Sequence, residues 1–537
     1  AGSLSVAGSL IDVGSLSLQN IGKATLAADN GDIRGDGTFD MVGDLTLRAG
    51  AIYPPSAVSF TLAAEDFVSG GVTRPGSITI AGSGIRPLPL SAGGELNLYA
   101  STITQGGVLR APVGAINLGW DGTGTAPRDL VSNLSVPVTH QVTLASGSVT
   151  SVSAIDPVTG NVTTIPYGTN LNGTSWIDPT STDITVTGAP EKTVHISAES
   201  VTEQTGSTVD LRGGGDLYAY RWVSGVGGTN DVLASSAGFA VIPGYQADYA
   251  PFAPFNPTAL NTNLGGDAGY VNPTLAVGDR IYLNGVAGLP AGFYTLLPAR
   301  YALLPGAFLV TPKAGVPPGG AQTLPDGSSV VAGYRFNDLN AARTVTPLAS
   351  TFEIAPQSVV RARAEYDDSL ANAFLSAGAM AHDAVVPRLP VDSGQLVLAA
   401  TKAMTLQGAV AAQAPMGGRG GLVDISSPVD IFITGAGVTA PAGSLGLNAS
   451  ELTSFGAESL LVGGERTTTG QGTVIAVQTN NVTVNNAGSL LAGTEIILAA
   501  NQSLTLAPGA VVSQTGTLVA PADTLVLPGQ QGPANGT

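Results

Sequence analysis

"GELNLYASTITQGGVLRAPVGAINLGW", Gly94 to Trp120, carries one pattern twice, and its reading decides the fold. In Gly-Glu-Leu-Asn-Leu and again in Gly-Ala-Ile-Asn-Leu, a glycine precedes strictly alternating residues. Leu96 and Leu98 therefore face one side of a strand, and Glu95 and Asn97 the other. The two glycines are 20 residues apart. The unit recurs as "GSLSVA" at Gly2, "GSLSLQ" at Gly14, "GDLTLRA" at Gly43, "GSITIA" at Gly76, "GQLVLAA" at Gly394, "GSLGLNA" at Gly443 and, less strictly, "GTEIILAA" at Gly493. A glycine ahead of each strand permits the positive φ of a turn. Short one-sided strands recurring at intervals in the low twenties are the mark of a solenoid, whose coils stack their apolar residues on one another. The fold expected is all-β: a right-handed parallel β-helix, its handedness taken from known β-helices. A row of β-sandwiches would repeat at domain-sized intervals instead. Some 350 residues at roughly 22 per coil would make ~16 coils.

Composition agrees with many short strands. Of 537 residues, 43% are hydrophobic and 11% charged, so a core can be buried and self-repulsion is low. Glycine reaches 72 without the three-residue period of collagen. The net charge of −17, with lysine only at Lys23, Lys192, Lys313 and Lys402, makes nucleic acid and anionic membrane surfaces poor partners. Cysteine is absent. That suits a large exported protein in which premature disulfides would obstruct passage. The chain starts at Ala1 with neither Met nor signal peptide and reads as a mature or excised fragment.

Two regions break the repeat. Val142–Gly168, centred on Asp156-Pro-Val-Thr-Gly-Asn161, reads as a hairpin projecting from a coil. Gly213–Pro356 is rich in proline, and its Gly213–Phe308 part holds 14 of the chain's 29 aromatic residues, enough for an inserted β-rich module with its own core. Within it, "LPAGFYTLLPARYALLPGAFLV" (Leu289–Val310) is apolar enough to suggest a membrane span, but Pro290, Pro298 and Pro305 break any helix. Short apolar strands between turns are expected there. "RARAEYDDSLANAFLSAGAMAH", Arg361–His382, has helical spacing with Leu370, Phe374 and Ala377 on one face. The expected organisation is therefore N-terminal coils over 1–212, the inserted module over 213–356, C-terminal coils over 357–527 with a short helix near 361–382, and a flexible tail over 528–537.

"LRAGAIYPPSAVSFTLAA" (Leu47–Ala64), "TIPYGTNLNGTSW" (Thr164–Trp176), "PEKTVHISAESVTEQTGSTVDLRGGGDLYAYRWVSGVGGTNDVL" (Pro190–Leu233), Leu289–Val310 and "SVVRARAEYDDSLANAFL" (Ser358–Leu375) resemble filamentous-haemagglutinin-like exoproteins of Gram-negative bacteria. They are similar to the domain of uncharacterised function in the C-terminal part of such proteins, over roughly Leu47 to Ser427. The resemblance implies a very large β-helical adhesin at the cell surface or outside the cell, secreted by an outer-membrane partner transporter. That family's N-terminal secretion module, with its Asn-Pro-Asn motifs, does not occur in this sequence.

Residues with chemistry are sparse. His140, His195 and His382 lie far apart without ligand spacing, and neither a Gly-x-Ser-x-Gly elbow nor a Walker loop occurs, so no metal, cofactor or catalytic residue is expected. Asp29, Asp32, Asp36, Asp40 and Asp44 read as a solvated turn rather than a calcium loop, because Arg34 takes a ligand position. Inside lies Arg34-Gly35-Asp36, a tripeptide that host integrins read on exposed loops and that also arises by chance. The alternative function is a polysaccharide lyase or hydrolase, since β-helices serve these too. Its carboxylates would be Asp210 and Asp216 beside Tyr218, Tyr220 and Trp222, or Asp367 and Asp368 on the helix. The reading preferred is a non-enzymatic stalk displaying attachment modules. Host or bacterial surface glycans or proteins would meet Tyr218, Tyr220, Trp222, Tyr245, Tyr249, Phe252 and Phe255, unless these aromatics form the module's own core.

Overall fold

In the computed structural model, residues 2–128, 135–225, 228–245, 275–336, 349–469, 472–518 and 525–526 are described. Strand is their main element, and 21 of their 45 strands join one large sheet through parallel pairings. Alternation explains the register: each Gly-apolar unit has one apolar face, and pairing in register edge to edge with the unit before it lines those faces up on one core.

Three ladders result. In the first, Leu4, Ala24, Leu45, Ile78, Ile103, Val142, Val201 and Met404 are successive partners. The second runs Ile11, Ile33, Ile52, Leu109, Thr150, Val209, Val410. A third runs Leu16, Phe39, Leu62, Leu98, Leu118, Ile196, Leu398, Ile425, Val462, Leu498. From Leu4 to Ile78, and again from Ile103 to Ile425, the chain visits first, second and third in turn, passing from Ile78 straight to Leu98 in between; the apolar residues of all three, exposed Leu16 apart, join one core. Farther on, Leu445–Asn448, Ile431–Thr434, Asn481–Asn485 and Ser503–Leu506 form another parallel ladder on the same core. Ten strands in the third ladder make a stack of about 45 Å at ~4.8 Å per strand, shorter than ~16 coils, because long stretches leave the stack altogether. Some turns between ladders admit only glycine: at Gly43 (φ 97°) a Cβ would lie 2.3 Å from the Gly22 carbonyl oxygen.

The two longest excursions, 152–192 and 211–394, both leave the second ladder and return to the third. They pair with each other: Thr164–Pro166 lies parallel to Asp216–Val223, which lies antiparallel to Glu365–Leu370. The longer excursion also holds an eight-stranded, mainly antiparallel sheet from Phe239–Val241 to Ser350–Pro356. Leu289–Val310 enters that sheet as Gly292–Thr295, Leu297–Pro298 and the start of Phe308–Lys313, with a 3-10 turn over Ala299–Leu303, and Leu296, Leu297, Tyr301 and Leu303 are buried. No helix among the described residues is long and apolar enough to cross a membrane.

Three local expectations are corrected. In place of a hairpin over Val142–Gly168, Gln141–Leu144 and Val149–Ser151 are ladder strands, and only an Ile155–Val162 bridge around the Asp156 turn projects. Alternating Val and Thr mark a strand without saying whether its partner is parallel. The helix near 361–382 is split into Gln357–Arg363 and Ala371–Ala381 by the strand Glu365–Leu370, which is drawn out by pairing with Asp216–Val223. Ala371, Leu375 and Ala379 form its buried face, while Leu370 is exposed. The chain rejoins the ladders at Gln395 rather than after Pro356, and the tail expected over 528–537 lies outside the described residues.

Candidate functional site

Strand Asp216–Val223 places Tyr218, Tyr220 and Trp222 at alternate positions, hence on one face, opposite Leu370, Asp368 and Tyr366. That face turns inward. Tyr218 is buried in a cluster with Leu297, Tyr301 and Tyr366, against which Tyr220 and Trp222 pack half-buried. The Tyr218 hydroxyl donates to Asp368 Oδ1 at 2.6 Å, and Asp368 is also held by Arg361 at 2.8 Å. Burial and the adjacent carboxylate push the Tyr218 phenol upward. Tyr220 meets Tyr366 edge-to-face with centroids 5.7 Å apart, and the Tyr366 hydroxyl donates to Asp231 at 2.6 Å. Tyr245 packs on Tyr53, an outward residue of the second ladder, and burial raises its phenol too. The described aromatics thus glue the long excursion together and onto the stack, which is the core reading. Tyr249, Phe252 and Phe255 lie outside the described residues.

The tripeptide Arg34-Gly35-Asp36 is corrected outright. Arg34 is 2% exposed and clasps Asp12, its partner on the adjacent strand of the second ladder, through Nε at 2.9 Å and Nη2 at 2.6 Å. At Gly35 a Cβ would meet the Phe60 ring at 2.4 Å. An integrin needs this segment on an exposed loop; it is a strand against the core. The acidic stretch around it is not a solvated turn either: Asp32 and Asp40 are buried on strands, while exposed Asp29 pairs with Arg48.

The carboxylates of the enzyme alternative hold the fold. Asp210 is chelated by Arg212 at 2.8 and 2.9 Å. Asp216 accepts from the backbone N–H of Leu217 and, across the chain, from that of Asn372, capping the helix Ala371–Ala381. Asp367 and Asp368 sit on a strand, paired with Arg221 and Arg361. His140 contacts Glu199 at 2.9 Å, His195 is half-buried with its imidazole pKa lowered by desolvation, and His382 meets the Gly378 carbonyl. Among the described residues, no three His, Asp or Glu side chains converge as a metal site.

Two features escaped the sequence reading. On the antiparallel sheet, Tyr282, Phe293 and Tyr334 are cross-strand neighbours on the face opposite buried Ile281 and Leu283. Tyr282 and Tyr334 stack at 5.0 Å, Phe293 meets Tyr282 edge-on at 5.2 Å, and Arg280 lies 5.4 Å above the Phe293 ring, itself 45% exposed. The alternation Arg280-Ile-Tyr-Leu283 was the available signal. The second is a pocket lined by Pro190, Lys192, Thr193, Arg388 and Gln395, where the buried Lys192 donates to the Pro390 carbonyl at 2.7 Å and burial pushes its ammonium down to about 7. A lone lysine carries no such signal in sequence.

No family model, curated protein or solved structure matches the chain.

Proposed function

We propose that the chain is a segment of a secreted, filamentous-haemagglutinin-like surface exoprotein whose ladders close into a right-handed parallel β-helix serving as a stalk. The observation that carries this reading is the set of three in-register parallel ladders on one core, from which both long excursions leave between the same two ladders. A shaft that grows its additions along one side displays them for contact, and recognition commonly resides in such additions on a rigid scaffold. The aromatic group Tyr282, Phe293 and Tyr334 with Arg280 offers rings and a cation to a surface glycan or protein better than Tyr218 or Trp222, which are occupied in packing. On this reading the protein is extracellular, exported by an outer-membrane transporter, and catalyses nothing.

The test uses the whole chain. Small-angle scattering should give an elongated particle, and a glycan array should give signal that Phe293→Ala reduces at least tenfold while Trp222→Phe leaves it. Incubation with acidic and neutral polysaccharides should release no sugar. Release abolished by Asp210→Asn or Asp216→Asn, with the fold retained, would replace this reading by the lyase or hydrolase one.

A further inference from the structure

Of the chain's four lysines, three sit in water or on a carboxylate. Lys23 is exposed, Lys313 pairs with Glu353 at 2.6 Å and Lys402 with Glu199 at 2.7 Å. Lys192 differs. It is 6% exposed, and its only hydrogen bond among the described residues goes to the Pro390 carbonyl at 2.7 Å. The acids whose charge reaches it are engaged by other cations: Arg419 clasps Asp392 at 2.8 and 2.6 Å, and Arg212 clasps Asp210 at 2.8 and 2.9 Å. An amine held out of water without a carboxylate of its own gives up its proton readily, and a neutral lysine is a nucleophile. Burial accordingly pushes the Lys192 ammonium down to about 7, with Asp392 and Asp210 opposing and Arg388 assisting. The amine also lines a cavity, at the place where both excursions rejoin the third ladder. Pro190 to Thr193 closes the shorter excursion there, and Arg388 to Gln395 closes the longer.

We propose that Lys192 is a carbamylation site, where the side-chain amine takes up carbon dioxide. The Nζ lone pair attacks the carbon, an N–C bond forms, one C=O π pair moves onto oxygen, and a proton leaves Nζ for solvent. Size selects this electrophile. The cavity has room for about one water molecule, so a slim linear molecule enters where an aldehyde or acyl chain does not. Charge favours the product. The Arg388 guanidinium lines the same cavity and disfavours a positive charge at Lys192, and the same field stabilises the negative carbamate. Thr193 and Ser393 add hydroxyl-bearing side chains to the lining, whereas Glu191, the one acid in it, is exposed.

With only four lysines, the chain allows a site-resolved test on the intact, unaltered protein. After equilibration with isotopically labelled bicarbonate, alkylation by triethyloxonium and peptide mapping, the trapped carbamate should lie on Lys192 and be absent from Lys23, Lys313 and Lys402. Its yield should rise as pH is raised through about 7, and Lys192→Arg should lose it. Cyanate, which has the shape of carbon dioxide and forms a permanent adduct, measures reach and nucleophilicity separately. Near neutral pH it should modify Lys192 before the other three, while trinitrobenzenesulfonate, too large for the cavity, should modify the other three first. Trapped label missing from Lys192, or spread evenly over all four lysines, overturns the carbamate. So does cyanate that spares Lys192 in the folded chain and modifies it only after unfolding.

Discussion

Glu203 occupies the first ladder between Leu144 and Leu406, 1% exposed, and neither carboxyl oxygen has a hydrogen-bond partner among the described residues. Burial, with Glu451 adding to it, pushes its pKa up to about 8 from 4.5. The folded state therefore holds a proton that the unfolded state has released, and stability falls as pH rises from about 4.5 to about 8. Glu203→Gln should flatten that fall and raise the melting temperature at pH 9 by several degrees; an unchanged slope in a melting series would refute the assignment. Lys192 acts in the opposite sense. Its pKa is pushed down from 10.5 to about 7, so the unfolded state binds the extra proton and stability rises with pH across that interval. Lys192→Met should remove the rise between pH 7 and 10, measured in the same way. Neither residue announces itself in sequence, because burial of one side chain is decided by what packs over it. Polar pairs one ladder step apart were legible in principle: Asp12 and Arg34 are separated by 22 residues, and Ser17 and Asp40 by 23. Reading Arg34 as part of a local tripeptide overlooked that its neighbour in space lies on the preceding strand of its ladder.

At the scale of elements, single polar residues decide where strands and helices stop. Asn448 accepts from the Ser450 and Glu451 N–H groups and starts the helix Ala449–Ser454; the spacing Asn448-x-x-Glu451 was a local signal that reading the stretch only as a repeat unit passed over. The cap of Ala371–Ala381 is Asp216, 156 residues from Asn372, and no local pattern could disclose it. Asp216→Ala should cost about 1 kcal/mol and speed hydrogen exchange selectively in the first turn of that helix. Uniform exchange along the helix would deny the cap. The hairpin of Gly464–Thr469 and Gly472–Val477 is fastened more firmly. Arg466 donates from Nε to Asp424 Oδ1 at 2.7 Å, from Nη1 to Ser459 Oγ at 2.6 Å and from Nη2 to the Val423 carbonyl, and both charged side chains are buried. Arg466→Met leaves the Asp424 charge uncompensated and should destabilise by roughly 3–5 kcal/mol. The double variant Arg466→Met with Asp424→Asn should recover most of that loss in denaturant titrations.

For the whole molecule, the periodic part was readable and the woven part was not. Gly-apolar units at 20-residue spacing suffice to place Leu98 on Leu118, because a ladder repeats one local rule. That Thr164–Pro166 would find Asp216–Val223, or Tyr245 cover Tyr53, depends on partners with no period between them. The weave makes its own prediction. The long excursion leaves and returns at one point: the Gly394 N–H donates to the Leu211 carbonyl at 2.8 Å, and the Gly213 N–H to Ser393 Oγ at 3.0 Å. Residues 214–392 can therefore be excised with a short join, as adjoining ends make such excisions tolerable. The ladders should keep their β-sheet signal and melt cooperatively, since their core draws on none of the excised side chains. The shorter excursion should not survive intact. Trp176 is fully buried against Phe374, at 5.6 Å, in a cluster that takes Leu217, Ala371 and Leu375 from the excised stretch. Its fluorescence should shift to the red on excision, with Trp120 on its own loop as the unshifted reference. A Trp176 that stays blue would mean that 152–192 folds on the stack unaided, and that the two excursions are separate attachments rather than one body.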